Sequence, residues 1–297
     1  MTETTKNISS FITREEIRVL SRPNDLRAFG GLLINWGIIA SAFAMAILWT
    51  NPLTILVAIL LIGGRQLGLG VLLHDCAHHS YFSKKTWNQF AGHWLCGAPV
   101  NIALSDYREY HLRHHRHAGT DDDPDRGFVI NYPVEKSSLK RKLKRDLTGQ
   151  TGIRDTLYKL KTFKLSKNYP WLFFHILMIS VLTLAGSPWA YFLWIAAEIF
   201  VYPLLARVRQ IGEHGVARNR DNLEPRENTS TTIASFWERL IFAPNCVNFH
   251  LEHHQFAAVP PYRLAVLHKL LNERGYHDGF DCISFGYADV LRRAVRS

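Results

Sequence analysis

Residues 28–50 (AFGGLLINWGIIASAFAMAILWT) run for 23 positions without a charged side chain. As a helix, rising about 1.5 Å per residue, the run is longer than the ~30 Å hydrocarbon layer of a bilayer, and it reads as a spanning helix. A second apolar run, 52–73, follows the turn Asn51-Pro52 and is interrupted only by Arg65 and Gln66. Runs 169–186 and 188–206 repeat the arrangement about Gly186-Ser187-Pro188. The expected fold is an all-α integral membrane protein with four transmembrane helices in two hairpins. A mean hydropathy of −0.07 hides this, because the charges lie between the runs.

Orientation follows from where the cations fall. Lys and Arg number 5 before residue 28, 17 between residues 80 and 168, and 12 after residue 206, with none in either hairpin turn. By the positive-inside rule both termini and the long middle segment face the cytoplasm, joined in a helical cap. The expected organisation is a cytosolic lead-in over 1–27, with a short amphipathic helix starting near Thr13, a membrane domain over 28–275 and a cytosolic tail over 276–297. Segments 86–104 and 231–249 are apolar too, but the first carries Asn88, Gln89, His93, Pro99 and Asn101 and the second Glu238 and Arg239, so both read as interfacial or re-entrant. The Lys-rich stretch 136–167 suits a solvated face over anionic lipid or a docking patch for an acidic partner. No nucleic-acid recognition motif accompanies the charge. The four cysteines, Cys76, Cys96, Cys246 and Cys282, are scattered and give no disulfide framework.

Fifteen histidines stand in this chain, and eight of them are grouped. His74 and His78 are four residues apart; His111, His114 and His115 fall at i, i+3 and i+4, and His250, His253 and His254 repeat that spacing. On a helix each set shares a face and can aim its imidazoles at one point. Neutral imidazole is a versatile transition-metal ligand, and three such sets in one membrane chain outweigh the reading of exposed polar faces. Eight imidazoles exceed what one zinc ion uses, and a facial triad of two histidines and a carboxylate would leave most idle. Two irons held largely by histidine is the economical reading. With four spans all three sets share the cytoplasmic side. Asp75, Glu213 and Glu252 are placed to accept the second N–H of a ligating imidazole, as is the Asp121–Asp125 turn, which equally suits capping the next element. His79 and His117 adjoin the sets, whereas His93, His175, His268 and His277 have no partner at ligand spacing.

These sets, in this order around two hairpins, resemble the histidine boxes of the membrane fatty acid desaturase superfamily over roughly residues 25–275. Asn-Phe-His250-Leu-Glu-His253-His254-Gln-Phe, followed by Val-Pro-Pro, is especially typical, as is the second box followed by Gly-Thr-Asp-Asp-Asp-Pro-Asp. The resemblance implies that His214 is a ninth ligand and that Gln210 resembles an amide that approaches the metal through water. It also implies two non-heme irons, O2 as co-substrate, and desaturation of a lipid or fatty-acyl chain, free in the membrane or carried on coenzyme A or acyl carrier protein. The alternative is a hydroxylase or ketolase acting on a lipid or carotenoid, since both outcomes use the same histidines. No His-Pro-Gly-Gly element of a fused cytochrome b5 is present, so electrons would come from a separate donor such as ferredoxin or cytochrome b5. The motifs assign no substrate-binding residues.

Overall fold

The computed structural model describes residues 8–296. Helix α1 (Arg14–Leu20) starts at Thr13, whose side chain and that of Glu16 cap each other's backbone N–H groups. Helices α2 (Asp25–Leu48) and α3 (Pro52–Ala77) form the first hairpin. Asn24 and Asn51 accept from first-turn N–H groups, and Pro52 supplies a first-turn residue whose missing N–H costs nothing there. After α4 (Lys85–Phe90) and α5 (Leu104–His117) come α6 (Lys136–Leu147) and α7 (Gln150–Lys161). The second hairpin pairs α8 (Leu165–Leu184) with α9 (Pro188–Gly215), a helical run of 28 residues. The chain closes with α10 (Phe236–Ile241), α11 (His250–Gln255), α12 (Pro261–Glu273) and α13 (Tyr287–Arg293). The two short strands Thr231–Thr232 and Ile283–Ser284 pair in parallel.

Among the described residues three helices, α2, α3 and α9, are long and apolar enough to cross a membrane. The run expected at 169–186 is also helical, but α8 begins at Leu165, brings Lys167 and Asn168 into its first turns and holds Pro170 and a buried His175. Its apolar part is shorter than those of the other three. Neither 86–104 nor 231–249 forms a span-length helix. The first passes from α4 into a π-helical turn, Ala91–Gly97, and stops at Asn101 in the left-handed conformation (φ 58°).

Helix α3 is the axis of the bundle. Ile39, Ala42 and Ala46 of α2, Ala58, Ile62 and Leu69 of α3, and Leu193, Trp194 and Ala197 of α9 pack into one apolar core. Gly63 makes the α3–α9 contact possible, since a Cβ there would lie 2.5 Å from Val201 Cγ1. The outer surface keeps Leu33, Leu53, Phe173, Ile176 and Phe192 exposed, as lipid contact requires. Beyond its apolar part α9 continues to Gly215 through π turns at Ala197–Val201 and Ile211–Gly215. It carries Arg207 to Asp146 of α6, with Nη2 3.0 Å from Oδ1.

Residues of the expected lead-in and tail pack against each other. Phe11 and Ile12 are buried, Phe11 lying edge-on to Tyr276 with ring centroids 5.3 Å apart, and Arg274 Nη2 meets Glu16 Oε1 at 2.6 Å. Tyr276, His277, Cys282, Tyr287 and Val290 are all buried. Between box one and α4 the chain turns around Asn88, whose Oδ1 accepts from the Phe82 N–H at 3.0 Å while Nδ2 donates to the Phe82 and Lys84 carbonyls at 2.8 and 3.0 Å. Asn88→Ala strands these buried backbone groups and should lower stability by about 1–3 kcal/mol. A drop in the thermal midpoint of the detergent-solubilised protein would register it, and an unchanged midpoint would discount this turn.

Candidate metal centre

Four helices deliver the grouped histidines. His74 sits in the last turn of α3 and His78 just past its end; α5 carries His111, His114 and His115, the final π turn of α9 carries His214, and α11 carries His250, His253 and His254. They meet in two groups, each with its ligand atoms within 4.8 Å of one another. One joins His74, His78, His111, His115 and His253; the other joins His114, His214, His250 and His254. Each His-x-x-His-His set is therefore split between the groups, not aimed at one point. Residues i and i+4 of the second box go to the first group and i+3 to the second, and the third box divides the opposite way. The groups touch where His115 and His254 stack at 4.2 Å between centroids.

The nitrogens that converge are chiefly Nε2. His115 Nε2 lies 2.9 Å from that of His111 and 3.0 Å from that of His253. In the other group, His250 Nε2 lies 3.0 Å from that of His214 and 3.1 Å from that of His254. The opposite edges of the rings are held from outside. His74 Nδ1 faces Asp75 Oδ1 at 2.9 Å, His114 Nδ1 faces Asp123 Oδ1 at 2.7 Å, and His214 Nδ1 faces the Asn228 carbonyl at 3.0 Å. Each acceptor fixes the ring proton on Nδ1, which leaves Nε2 as a bare lone pair. The Nε2 atoms of His74 and His78 are buried without any hydrogen-bond partner. Buried lone pairs facing one another at such distances are unfavourable unless a cation lies among them, so the residues fit metal ions.

Electrostatics favour the ligating form. Burial and neighbouring imidazoles hold His111, His250, His253 and His254 well below the usual imidazole range, and His78 at about 4. His114 is the exception. Burial opposes its charging, but the Asp123 and Asp125 carboxylates outweigh burial and raise its pKa.

The outer residues divide. Asp75 faces His74, and within the acidic turn it is Asp123 that meets His114. Glu213 Oε1 stands 3.6 Å from His250 Nδ1 and is held by Arg209 Nε at 2.5 Å. Gln210 lines a cavity of about 260 Å³ with Tyr107, Tyr110, Phe128 and Tyr202, against His111, His114, His214 and His250. Glu252 turns away from both groups. Its Oε1 accepts from His268 Nδ1 at 2.6 Å and His277 Nε2 at 3.1 Å, and Thr231 Oγ1 donates to Oε2. Burial favours the neutral acid, but these imidazoles outweigh it and hold the carboxyl at about 2. Sequence spacing leaves His268 and His277 without partners, and their only hint is a carboxylate inside box three that needs them. His175 pairs with the Tyr191 hydroxyl at 2.9 Å and belongs to neither group. His79 and His93 line a separate cavity. His117 ends α5 outside both groups.

Residues 22–285 match the Fatty acid desaturase family, and the chain belongs to it. It is 26% identical over 254 residues to Dihydrorhizobitoxine desaturase of Bradyrhizobium elkanii, covering 77% of this chain and 70% of that protein. It is 24% identical to sn-1 oleoyl-lipid 12-desaturase of a Synechocystis strain, across 83% of this chain and 76% of that protein. Sphingolipid delta(4)-desaturase DES1-like of Oryza sativa subsp. japonica matches at 24% over 69% of this chain, which spans only 60% of that protein's length.

Removing an outer acceptor should loosen one group selectively. Asp123→Ala frees His114 Nδ1 and is expected to weaken divalent-metal binding at the His114, His214, His250 and His254 group about 10–100-fold. Competition against a chelator should then show one weakened class of site beside one unchanged class.

Proposed function

We propose that this chain is an O2-dependent di-iron desaturase that introduces a carbon–carbon double bond into a lipid or fatty-acyl chain. The observation behind the reading is the convergence of nine imidazoles, donors His74, His78, His111, His115 and His253 for one iron and His114, His214, His250 and His254 for the other, in a chain of this family. An all-nitrogen neutral donor set suits ferrous iron and leaves room for a further ligand. Reduced iron with O2 supplies the oxidising power to break an unactivated C–H bond, which no side chain provides. Overall a CH2–CH2 pair loses two hydrogens, and O2 takes these with two protons and two electrons from a separate donor of ferredoxin or cytochrome b5 type to become two waters.

The protein's own part is binding, orientation and exclusion of water. Asp75, Asp123 and the Asn228 carbonyl hold three rings in the ligating tautomer. The aromatic cavity of Tyr107, Tyr110, Phe128 and Tyr202 gives an acyl segment an apolar wall beside four of the histidines. In this reading α8 is the fourth span, residues 28–275 form the membrane domain, and both termini and the irons face the cytoplasm. Gln210, which lines the cavity beside His114, His214 and His250, would be the amide that approaches the metal through water.

Membranes holding the protein, supplied with a reducing partner and O2, should yield lipid lighter by two hydrogens, and none without O2. Product heavier by one oxygen atom would replace desaturation by hydroxylation. Purified protein should hold about two irons, reduced by His253→Ala or His214→Ala but not by His175→Ala; stoichiometric zinc with full activity would reject the oxidative reading. Tags near Ser138 and at both termini should report one side and tags at Asn51 and Ser187 the other. A tag near Ser138 reporting the Asn51 side would break the four-span arrangement.

A further inference from the structure

A sizeable cavity lies outside both histidine groups. It encloses about 650 Å³ between the α4–π segment and the start of α5. Phe90, Trp94 and Leu104 give its lining an apolar part; Arg108, His79 and His93, with Thr86, Gln89 and Ser105, give a polar part. Trp94 in turn packs against Tyr169 and Phe173 of α8, at 5.9 and 6.2 Å between ring centroids, so the apolar part continues into the membrane helices. The volume falls in the range of ligand sites, and no acidic side chain lines it.

The polar part is unusual in what it leaves unmatched. Arg108 donates one Nη1–H to the Ala77 carbonyl, and among the described residues no carboxylate pairs with its charge. His79 sits in the left-handed region, with φ of 57°, a strained backbone for a side chain of its size, and its Nδ1 is buried without a partner. His93 stands edge-on to Trp94 at 5.1 Å. Lys84 and Lys85 directly precede Thr86 of the cavity lining, adding positive charge at its edge. A guanidinium with no carboxylate partner and two imidazoles line one cavity, a set of N–H donors of the kind that recognises phosphate. Its apolar part suits a hydrocarbon chain attached to that phosphate.

We propose that this cavity binds the phosphate-bearing polar end of an acyl substrate, with Arg108, His79 and His93 as its anion contacts. The position fits access to the metal groups, because His79 follows the ligand His78 directly and Arg108 lies one helical turn before His111 on α5. Naming the ligand a substrate rests on the desaturase reading; the binding itself does not require turnover. The phosphate has two possible sources, a phospholipid of the bilayer or a soluble acyl carrier whose linker bears phosphate.

The test uses the full chain in dodecyl maltoside micelles, titrated with dodecyl phosphate and with uncharged dodecanol, following Trp fluorescence. Dodecyl phosphate should bind at least about tenfold more tightly than dodecanol. Arg108→Gln and His93→Gln should each remove most of that preference while leaving iron content and dodecanol binding unchanged, and Arg108→Lys should keep part of it. His93→Gln secures the test should Arg108→Gln fail to fold. Competition by phosphatidic acid supports the site with a bilayer source and competition by dodecanoyl-coenzyme A supports it with a soluble one; competition by neither overturns it. Equal binding of the two probes, or an intact preference in both Gln variants, also overturns it. Phosphate preference in a protein without iron would uphold the site and reject the desaturase reading alone.

Discussion

Nine imidazoles gathered in two groups, six of them with Nε2 atoms facing one another at about 3 Å, are the constraint on which the surrounding helices depend. Neutral nitrogens gain nothing from such proximity in a dry interior; they repel until a cation sits among them. The surroundings remove the other escape, protonation. Burial keeps most of these rings neutral, His114 excepted, and Asp75, Asp123 and the Asn228 carbonyl tie a ring proton to Nδ1 of His74, His114 and His214. Metal affinity and the joining of α3, α5, α9 and α11 are consequently one energetic quantity.

A second buried charge extends that dependence to the C-terminal segment. Glu252 has no exposed surface, yet it holds its carboxyl ionised through His268, His277 and Thr231, which come from three separate stretches of chain. A buried carboxylate left without such partners would cost several kcal/mol. Box three thus stays in place only while α12, the turn at residues 274–281 and the strand at Thr231 close around it. The C-terminal residues belong to the centre's framework.

Two cavities of different character flank the histidines. The one beside His111 and His214 joins the aromatic rings of Tyr107, Tyr110, Phe128 and Tyr202 to the charged Asp125, Arg209 and Glu213. The one beside His79 joins Arg108 to the aromatic rings of Phe90 and Trp94. Helix α3 relates them, because its last turn supplies His74 to the metal groups and its terminal carbonyl at Ala77 anchors Arg108.

Helical periodicity is local, and whatever depends on it alone could be read from the chain. The span-length helices α2, α3 and α9 follow from long, mostly apolar runs, and the i, i+3, i+4 spacings announce which imidazoles share a helix face. Other features depended on groups far apart in sequence coming within 3.3 Å. His115 meets His253 across 138 residues and His114 meets His254 across 140, and this approach divides each box between two groups. The same holds for the turn of Glu252 toward His268 and His277, and for the capture of His214 by the Asn228 carbonyl, a backbone group that carries no sequence signal. The termini read as loose ends because their composition is polar, but burial of Phe11, Tyr276 and Tyr287 is decided by the surfaces they meet. Residue type and spacing determined which atoms can bind a metal; the packing of distant helices decided which of them meet, because spacing specifies direction on one helix and says nothing of the distance to another.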